Sequence, residues 1–317
     1  MLVYDDQRIL GGVDWAMQAR NHDAALLRYK KGGFALDFGL AFNQDFSSTT
    51  GNPGGFQSVG TQFNTTGFFT YKTMQYLHLS KKWDAFSASA LILNNGFQNF
   101  TGDPAVADGV SSLLTLGTHL NYSKGSFGAA FNGYIQTGER QNSVDVGGAY
   151  LLGLDVSYKV SKGVSFGLGA EIISGNDAST TDQTEAFFPL YGTNHKFNGF
   201  MDYFYVGNHA NSVGLTDIHA SAKFALGKGS SLLVKVLNFS GEQELPSGEK
   251  SLGTELDLVF AKAFKGYGLA IGYSQMFASE GMYELKGVAE ADAASSQNWA
   301  WVQLTMKPKF LNTTKAD

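Results

Sequence analysis

The sequence predicts an all-β fold, a transmembrane antiparallel up-and-down β-barrel, from its composition, its period-two hydrophobicity and the spacing of its turns. Hydrophobic residues make up 43% of the 317 residues and charged residues only 16%, whereas about a quarter of a typical soluble protein is charged. Gly (39), Phe (25) and Tyr (14) are abundant, and Pro (5) is rare. Because tight turns use Gly and membrane barrels carry aromatic belts, this composition favours a membrane β-protein.

The same composition excludes several classes of protein. The chain has no Cys, which leaves neither a disulfide framework nor a thiolate metal site. With a formal charge of −5, the chain lacks the excess of basic residues that is typical of a nucleic-acid-binding protein. No run approaches about 18 consecutive apolar residues, so the sequence predicts no membrane-spanning helix. If the chain crosses a membrane, it must do so as a closed barrel, because open strand edges cannot be satisfied in lipid.

Short Lys-rich turns, most of which contain Gly, alternate with long polar loops along the chain. Gly supplies the positive φ of a tight hairpin, and Lys keeps the turn in water. The predicted turns lie at 30–33, 81–84, 123–126, 161–164, 227–230 and 264–267. The predicted loops lie near 5–22, 45–66, 97–111, 138–145, 176–214, 241–251 and 285–296. Outer-membrane barrels have this asymmetry, with short periplasmic turns and long extracellular loops.

The segments between turns and loops alternate apolar residues with small or polar ones. In one of them, Phe166 and Leu168 share a face opposite Gly167 and Glu171. Alternation alone also fits a soluble sandwich, whose polar face meets water. However, segments of roughly 10 to 13 residues match a tilted membrane crossing better than an ordinary strand of about 5 to 6. The polar face is also rich in Gly, Ser and Ala, which favours the barrel.

The pattern predicts about 13 to 14 strands in a single domain, residues 1–317, preceded by a strand stub at residues 2–4. Three residues cannot cross a bilayer, so we expect further N-terminal strands and a complete barrel of about 18 strands. The N-terminus also lacks the charged start and apolar core of a signal peptide. We therefore expect either that a leader was removed or that Met1 lies inside a longer chain.

Two stretches resemble the alginate-export family of outer-membrane barrels, in the form found in Bacteroidetes-type bacteria. The first is LVYDDQRILGGVDW at residues 2–15, followed by Arg20, His22 and Asp23, and the second is PLYGTNHKFNG at residues 189–199, followed by Asp202. The resemblance extends over essentially the whole chain but only over the C-terminal part of the family's barrel. It implies that further strands precede this chain. It also implies outward conduction of an anionic polysaccharide through a basic lumen, although relatives in this branch need not share alginate as substrate.

In a channel, selectivity depends on lumen charges and on the loops that constrict the lumen. The inward face of the predicted strands carries both signs of charge. The cationic candidates are Arg28, Lys72, Lys159, Lys223 and Lys235, and the anionic candidates are Asp37, Asp155, Glu171, Asp217, Glu255 and Asp257. They form either a transverse field that selects solutes or cross-strand ion pairs that keep a wet lumen rigid.

The two family-like stretches supply candidates for a constriction. The first contributes Arg8, Asp14, Arg20 and Asp23, and the second contributes Asn194, His195, Lys196 and Asp202. Arg8 and Arg20 either reach the pore, where Arg binds carboxylates bidentately, or belong to a buried Arg–Asp network that braces the loop. The second group forms either a lid or part of a loop packed around its Phe residues, and the packing interpretation is favoured.

Sequence motifs give little support to catalysis. The six His residues are dispersed without an HExxH spacing, and neither GxSxG nor GxxxxGK[ST] occurs. The sequence therefore predicts a non-enzymatic channel of the Gram-negative outer membrane, through which a hydrophilic, anionic saccharide diffuses. Lipid, lipopolysaccharide and that solute are the expected partners, with no cofactor, no metal and no nucleic acid. The alternative is a structural or docking barrel of an envelope complex, with loops that plug the lumen.

Overall fold

Among the residues that the structure describes, thirteen antiparallel strands follow one another in a single up-and-down sheet. The computed structural model describes residues 1–13, 20–42, 71–101, 106–141, 143–177, 179–205, 209 and 212–308. The strands are β1 (Ala24–Lys31), β2 (Phe34–Phe42), β3 (Thr73–Lys82), β4 (Phe86–Thr101), β5 (Val106–Lys124), β6 (Phe127–Arg140), β7 (Val144–Lys159), β8 (Val164–Ile173), β9 (Leu215–Gly227), β10 (Ser230–Ser240), β11 (Ser251–Ala263), β12 (Tyr267–Ala278) and β13 (Ser296–Met306). The predicted all-β meander and its strand number are confirmed.

Each strand pairs with the next one in the chain, and within the described residues no pairing joins β1 to β13. All six predicted short turns connect neighbouring strands at one end of the sheet. A short helix, α1 (Glu280–Lys286), lies in the β12–β13 connection. Within the described ranges, no helix is both long and apolar enough to cross a bilayer.

The two faces of the sheet differ as the period-two pattern predicts. On the outer face, the side chains of Leu27, Leu168 and Val302 are 66%, 62% and 69% exposed. On the inner face, Asp217 and Glu255 are 1% and 0% exposed. A continuous apolar outer surface with charges buried inside is the reverse of a soluble protein and is stable only where lipid covers the outside.

Aromatic pairs lie beside the short turns. Their ring centroids are 6.4 Å apart for Tyr29–Phe34, 5.5 Å for Trp83–Phe86, 6.1 Å for Tyr122–Phe127 and 4.6 Å for Phe264–Tyr267. Because each turn brings its two flanking rings together, the rings form a girdle at the turn end of the sheet. Amphipathic aromatic side chains prefer this depth at a lipid–water interface.

Two predicted loops are mostly strand. The segments 97–111 and 138–145 are polar, but β4 continues to Thr101 and β5 begins at Val106, and β6 continues to Arg140 and β7 begins at Val144. The amide of Gln98, for example, donates to the backbone oxygen of Gly109 (2.8 Å), so its polarity serves the hairpin itself. These strands extend past the apolar belt, where polar residues are tolerated on both faces. The predicted loop 45–66 lies outside the described residues.

The predicted strand stub at residues 2–4 is also wrong. Residues 2–13, the N-terminal strap, run inside the sheet and form no strand along its edge. Leu10 makes a parallel bridge to Tyr191 of the inner loop, residues 184–204, and the backbone nitrogen of Gly11 donates to the Tyr191 oxygen (2.8 Å). The strap and the inner loop therefore pack together against the inner wall, where they bury Leu2, Ile9, Leu10 and Phe188.

Replacing Gly39 by Ala should destabilise the barrel, because the ring of Tyr76 lies against this glycine on the inner face of the sheet. An added Cβ would lie 2.1 Å from Cε1 of Tyr76. We expect a loss of about 1–3 kcal/mol in the free energy of unfolding, typical of overpacking. Urea unfolding in detergent, followed by fluorescence, measures it. Gly268→Ala is the control, because nothing lies within 4 Å of its Cβ; equal midpoints for both variants would contradict the packing argument.

Replacing Leu168 by Lys should be costly although the side chain is 62% exposed. A charge facing lipid near the middle of a barrel strand costs about 2–4 kcal/mol, whereas on a water-exposed surface it is nearly neutral. Ser157→Lys, at an exposed position on the inner face, is the matched control. Folding yield into lipid vesicles distinguishes the two variants, and equal yields would argue against a lipid-facing outer surface.

Candidate functional site

The N-terminal strap crosses the interior, and its successive side chains contact different strands of the inner wall. The Tyr4 hydroxyl donates to Oδ2 of Asp37 on β2 (2.7 Å), and Asp5 lies 3.1 Å from Nε2 of His78 on β3. Asp6 accepts from the amide of Asn132 on β6 (2.6 Å). Asp5 has a φ of 52°, in the left-handed region, which turns the neighbouring carboxylates toward different strands.

Arg8 completes this crossing at β8. Its Nε and Nη2 donate to both carboxylate oxygens of Glu171, at 2.9 and 2.6 Å, and its Nη1 donates to Asn194 Oδ1 (2.8 Å). The guanidinium also stacks over Phe197, 4.5 Å from the ring centre, and is only 1% exposed. Of the two interpretations left open for Arg8, the structure shows the buried bracing network, with Glu171 as its carboxylate.

Asn198 connects this ion pair to β9, and the sequence pattern did not single it out. Its amide donates to Glu171 (2.9 Å) and to Asp217 (3.2 Å), while its oxygen accepts from Arg8 (3.1 Å). Its φ of 55° is tolerated by Asn better than by most residues. A loop asparagine carries no periodicity, so only the family-like stretch that contains it pointed to this region.

The inner loop covers two further predicted lumen carboxylates. The backbone nitrogen of Met201 donates to Glu255 (3.0 Å), and the Ser274 hydroxyl donates to Asp257 (2.5 Å). Both carboxylates are fully buried. Arg8, Glu171, Asp217, Glu255 and Asp257 were expected to line the pore. They face inward as predicted, but the strap and the inner loop separate them from open water, because a charge inside the barrel needs protein partners.

A polar cavity of about 260 Å³ lies beside this network, and several predicted residues meet in it. Its polar lining includes Asp6, Asp155, Lys196, Asp217, His219 and Lys235. His219 bridges two carboxylates, with Nε2 2.9 Å from Asp155 and Nδ1 3.2 Å from Asp217. Because each ring nitrogen faces a carboxylate, both nitrogens act as donors, which is the pattern of an imidazolium.

The lysines of this cavity differ from its carboxylates. Asp6, Asp155, Glu171 and Asp217 are each engaged by a protein donor. Lys196 donates to the backbone oxygen of Asp6 (2.8 Å) and makes no ion pair among the described residues. Among the residues that the structure describes, Lys235 makes neither a close ion pair nor a hydrogen bond. Neither ammonium group therefore makes a close ion pair within these ranges, although Lys235 lies directly opposite Asp257 in the β10–β11 pairing.

The remaining cationic strand candidates lie outside this cavity. Arg28 pairs with Asp37 (3.1 Å) and is half exposed, and Lys72 donates to Gln98. Lys159 and Lys223 are exposed on the inner face near the turn end, where Ser165 of β8 pairs with both.

The other loop candidates brace the inner loop at the end opposite the turns. Arg20 donates to the backbone oxygen of Gly192 (3.0 Å), and His22 lies 2.9 Å from the Tyr71 hydroxyl. Burial, aided by the positive charge of Arg20, lowers the pKa of His22 to about 4, so this ring is neutral at physiological pH. His195 pairs with Asp202 (2.8 Å). Asp23 is exposed before β1, and Asp14 lies outside the described residues.

Nothing in the described ranges resembles a metal site. They contain no group of three or more His, Asp or Glu side chains that could hold an ion.

Several solved structures have the same fold. No protein-family model and no curated protein matches the sequence. Pseudomonas aeruginosa OccK10 (OpdN) is 12% identical, with a TM-score of 0.59, over 98% of this chain and 79% of that one. OccK5 (OpdH) of the same organism is 13% identical, with a TM-score of 0.54, over 91% and 71%. Acinetobacter baumannii OccAB4 is 13% identical, with a TM-score of 0.52, over 90% and 66%.

The fold is that of an outer-membrane β-barrel. At these identities the likeness shows the fold alone, and it does not single out the alginate-export family. The predicted architecture is confirmed, whereas the fold does not identify the solute.

Removing one partner of the Arg8–Glu171 pair should destabilise the interior strongly. Arg8→Met leaves a buried, uncompensated carboxylate, and we expect a loss of about 3–5 kcal/mol in the free energy of unfolding. The double variant R8M/E171M should lose less than the sum of its single variants. Urea unfolding in detergent, carried out on the unsubstituted protein, both single variants and the double variant, completes the double-mutant cycle.

Arg28→Met provides the control for this cycle. Arg28 is half exposed, and the buried Asp37 keeps its hydrogen bond from Tyr4 when Arg28 is lost, so R28M should cost clearly less than R8M. Trypsin cleavage after Lys196 reports whether the inner loop has been released. Similar losses for R8M and R28M, or additive single variants, would contradict the bracing role.

Proposed function

We propose that this chain forms the wall and inner plug of a passive channel in the Gram-negative outer membrane. The proposed solutes are hydrophilic and negatively charged, and an anionic saccharide is the first candidate, as the resemblance to alginate-export barrels implies. The structural likeness to outer-membrane porins supports the channel and its location. No energy source is required, because diffusion through a water-filled lumen needs none.

The observation that carries this proposal is the charge arrangement of the 260 Å³ cavity. Each of its carboxylates accepts a hydrogen bond from a protein donor, whereas Lys196 and Lys235 make no close ion pair among the described residues, and Lys235 lies opposite Asp257 on the neighbouring strand. An anionic group that entered the cavity would meet two ammonium groups and the ring of His219, beside carboxylates that already accept hydrogen bonds from the protein. Positive charge in a confined lumen raises the local concentration of anions.

The wider inner face suggests a path to this cavity. Lys159 and Lys223 are exposed between the cavity and the turn end. Exposed lysines bind anions weakly, because water screens them, and weak successive sites allow release as well as entry. The carboxylates around the cavity also position a side chain, since Asp155 and Asp217 hold His219 in place.

A structural or docking barrel with a plugged lumen is the alternative function. The burial of Arg8 and the packing of the strap against the inner loop favour it. Single-channel recording of the full-length protein in a planar bilayer separates the two functions. Absence of any ion current would eliminate the channel and leave the plugged barrel.

Lys196→Gln and Lys235→Gln should each shift ion selectivity toward cations, because each removes a positive charge from the cavity. The reversal potential under a salt gradient measures the shift, which should shrink at high salt as screening increases. Lys265→Gln is the control, since Lys265 lies in the β11–β12 turn. Unchanged selectivity in both cavity variants, or an equal shift in K265Q, would reject the anion site while leaving the channel intact.

A further inference from the structure

Positive charge is concentrated at the turn end of the sheet. The six short turns contain eight lysines and one acidic residue, Asp84, which gives them a formal charge of +7, whereas the whole chain carries −5. Each of the seven predicted loops, by contrast, contains more acidic than basic residues. The positive charge of this acidic protein is therefore segregated into its turns.

The row formed by Lys31, Phe34 and Lys81 places two of these lysines on the outer face. Lys31 of β1 lies opposite Phe34 of β2, and Phe34 lies opposite Lys81 of β3. Directly opposite residues of antiparallel strands project from the same face. Phe34 shares the outer face with Phe38 and Leu40, which are 39% and 45% exposed. One ring of the aromatic girdle is therefore flanked by two lysines on the side that meets lipid.

Both lysines of this row lie at the β1–β2 turn. The Nζ of Lys81 donates to the backbone oxygen of Gly32 (2.9 Å), so its side chain reaches from β3 to that turn. Lys31 is the last residue of β1 and borders the same turn. Two lysines from different strands are thus brought together at one point of the barrel's end.

The same arrangement recurs at two other turns. Lys124 lies opposite Phe127, whose ring is 45% exposed on the outer face. Lys262 is an odd number of positions from the inward-facing Asp257, so it faces outward, and its Nζ lies 5.1 Å from the ring centre of Phe264. Each outer-face lysine of the turn end therefore lies beside a girdle ring. These outer-face lysines are Lys31, Lys81, Lys124 and Lys262.

The outer-face lysines have no carboxylate partner in the part of the chain that the structure describes. Every close ion pair there involves Arg or His rather than Lys. A lysine at the edge of a lipid-facing surface lays its alkyl chain along apolar groups and keeps its ammonium group at the polar interface. The negatively charged groups at that depth are the phosphates of lipid head groups.

We propose that the outer-face lysines bind the phosphate groups of anionic phospholipids, with the strongest site at Lys31 and Lys81. The short turns of outer-membrane barrels face the periplasm, where the leaflet consists of phospholipid rather than lipopolysaccharide. The ligand is therefore a phospholipid whose head group carries a net negative charge. The proposal requires the barrel to lie in a membrane, but it does not require the barrel to conduct a solute.

The position of the lysines favours a lipid over an acidic periplasmic protein as the partner. Amphipathic rings settle at the lipid–water interface, so the girdle fixes the depth of the lysines beside it. A soluble protein would have to displace lipid to reach them. Each Lys close to a membrane surface strengthens binding to anionic lipid by about fivefold, and two at one turn act on the same head group.

The neighbouring lysines of the same two turns provide a matched control. Lys30 and Lys82 alternate with Lys31 and Lys81 along their strands, so they project from the inner face. The variants K31Q/K81Q and K30Q/K82Q therefore remove the same charge from the same turns, but from opposite faces of the sheet.

Native mass spectrometry of the full-length protein in detergent, titrated with phosphatidylglycerol or zwitterionic phosphatidylcholine, measures the binding. The unsubstituted protein should bind phosphatidylglycerol about tenfold more tightly than phosphatidylcholine, and K31Q/K81Q should lose most of that preference. K30Q/K82Q should retain the preference to within about twofold. K31R/K81R should retain it as well, because Arg keeps the charge and binds phosphate. Heat-modifiable migration in gel electrophoresis shows whether each variant is folded.

Three results would overturn the proposal. The first is an absence of preference for phosphatidylglycerol in the unsubstituted protein, and the second is an equal loss in K31Q/K81Q and K30Q/K82Q. The third is a preference for lipopolysaccharide over phosphatidylglycerol that disappears in K31Q/K81Q, because it would assign the lysines to the opposite leaflet.

Discussion

The structure depends on one constraint: alternate residues of the strands face lipid on one side and, on the other, an interior occupied partly by the strap and the inner loop and partly by water. Lipid offers no hydrogen bonds, so all polar and charged side chains must point inward and find partners there. A sheet that turns Glu171, Asp217, Glu255 and Asp257 to its inner face cannot leave them dry and unpaired. The strap and the inner loop supply donors to Glu171, Asp217 and Glu255, and Ser274 of β12 supplies one to Asp257.

Arg8 and Asn198 show how few residues perform this compensation. One guanidinium engages both oxygens of Glu171, and one amide links Glu171 to Asp217. These two side chains engage Glu171 and Asp217 closely, whereas Lys196 and Lys235 make no close ion pair among the described residues. That asymmetry makes an otherwise structural network a candidate anion site, since engaged charges brace the plug and unengaged charges remain for a solute.

Local periodicity predicted which side chains face outward and where the turns lie. It did not predict the contacts between residues that are far apart in the chain. The outward position of Leu168 and the inward positions of Glu171 and Asp217 follow from a period of two, and Gly in the turns follows from its backbone freedom. Polar composition alone misassigned 97–111, because a strand beyond the lipid belt has no apolar face to reveal it. The path of the strap rests on contacts such as Arg8–Glu171, 163 residues apart, which no local pattern encodes.

A spin-label scan along β7, one introduced Cys at a time from Leu151 to Lys159, tests the central constraint most directly. Collision with oxygen, which concentrates in lipid, should peak at Leu152, Leu154, Val156 and Tyr158. Collision with a water-soluble nickel complex should be low at those positions and should rise at Asp155, Ser157 and Lys159. Oxygen and nickel accessibilities that rise and fall together along the strand would show water on both faces and would contradict the membrane barrel.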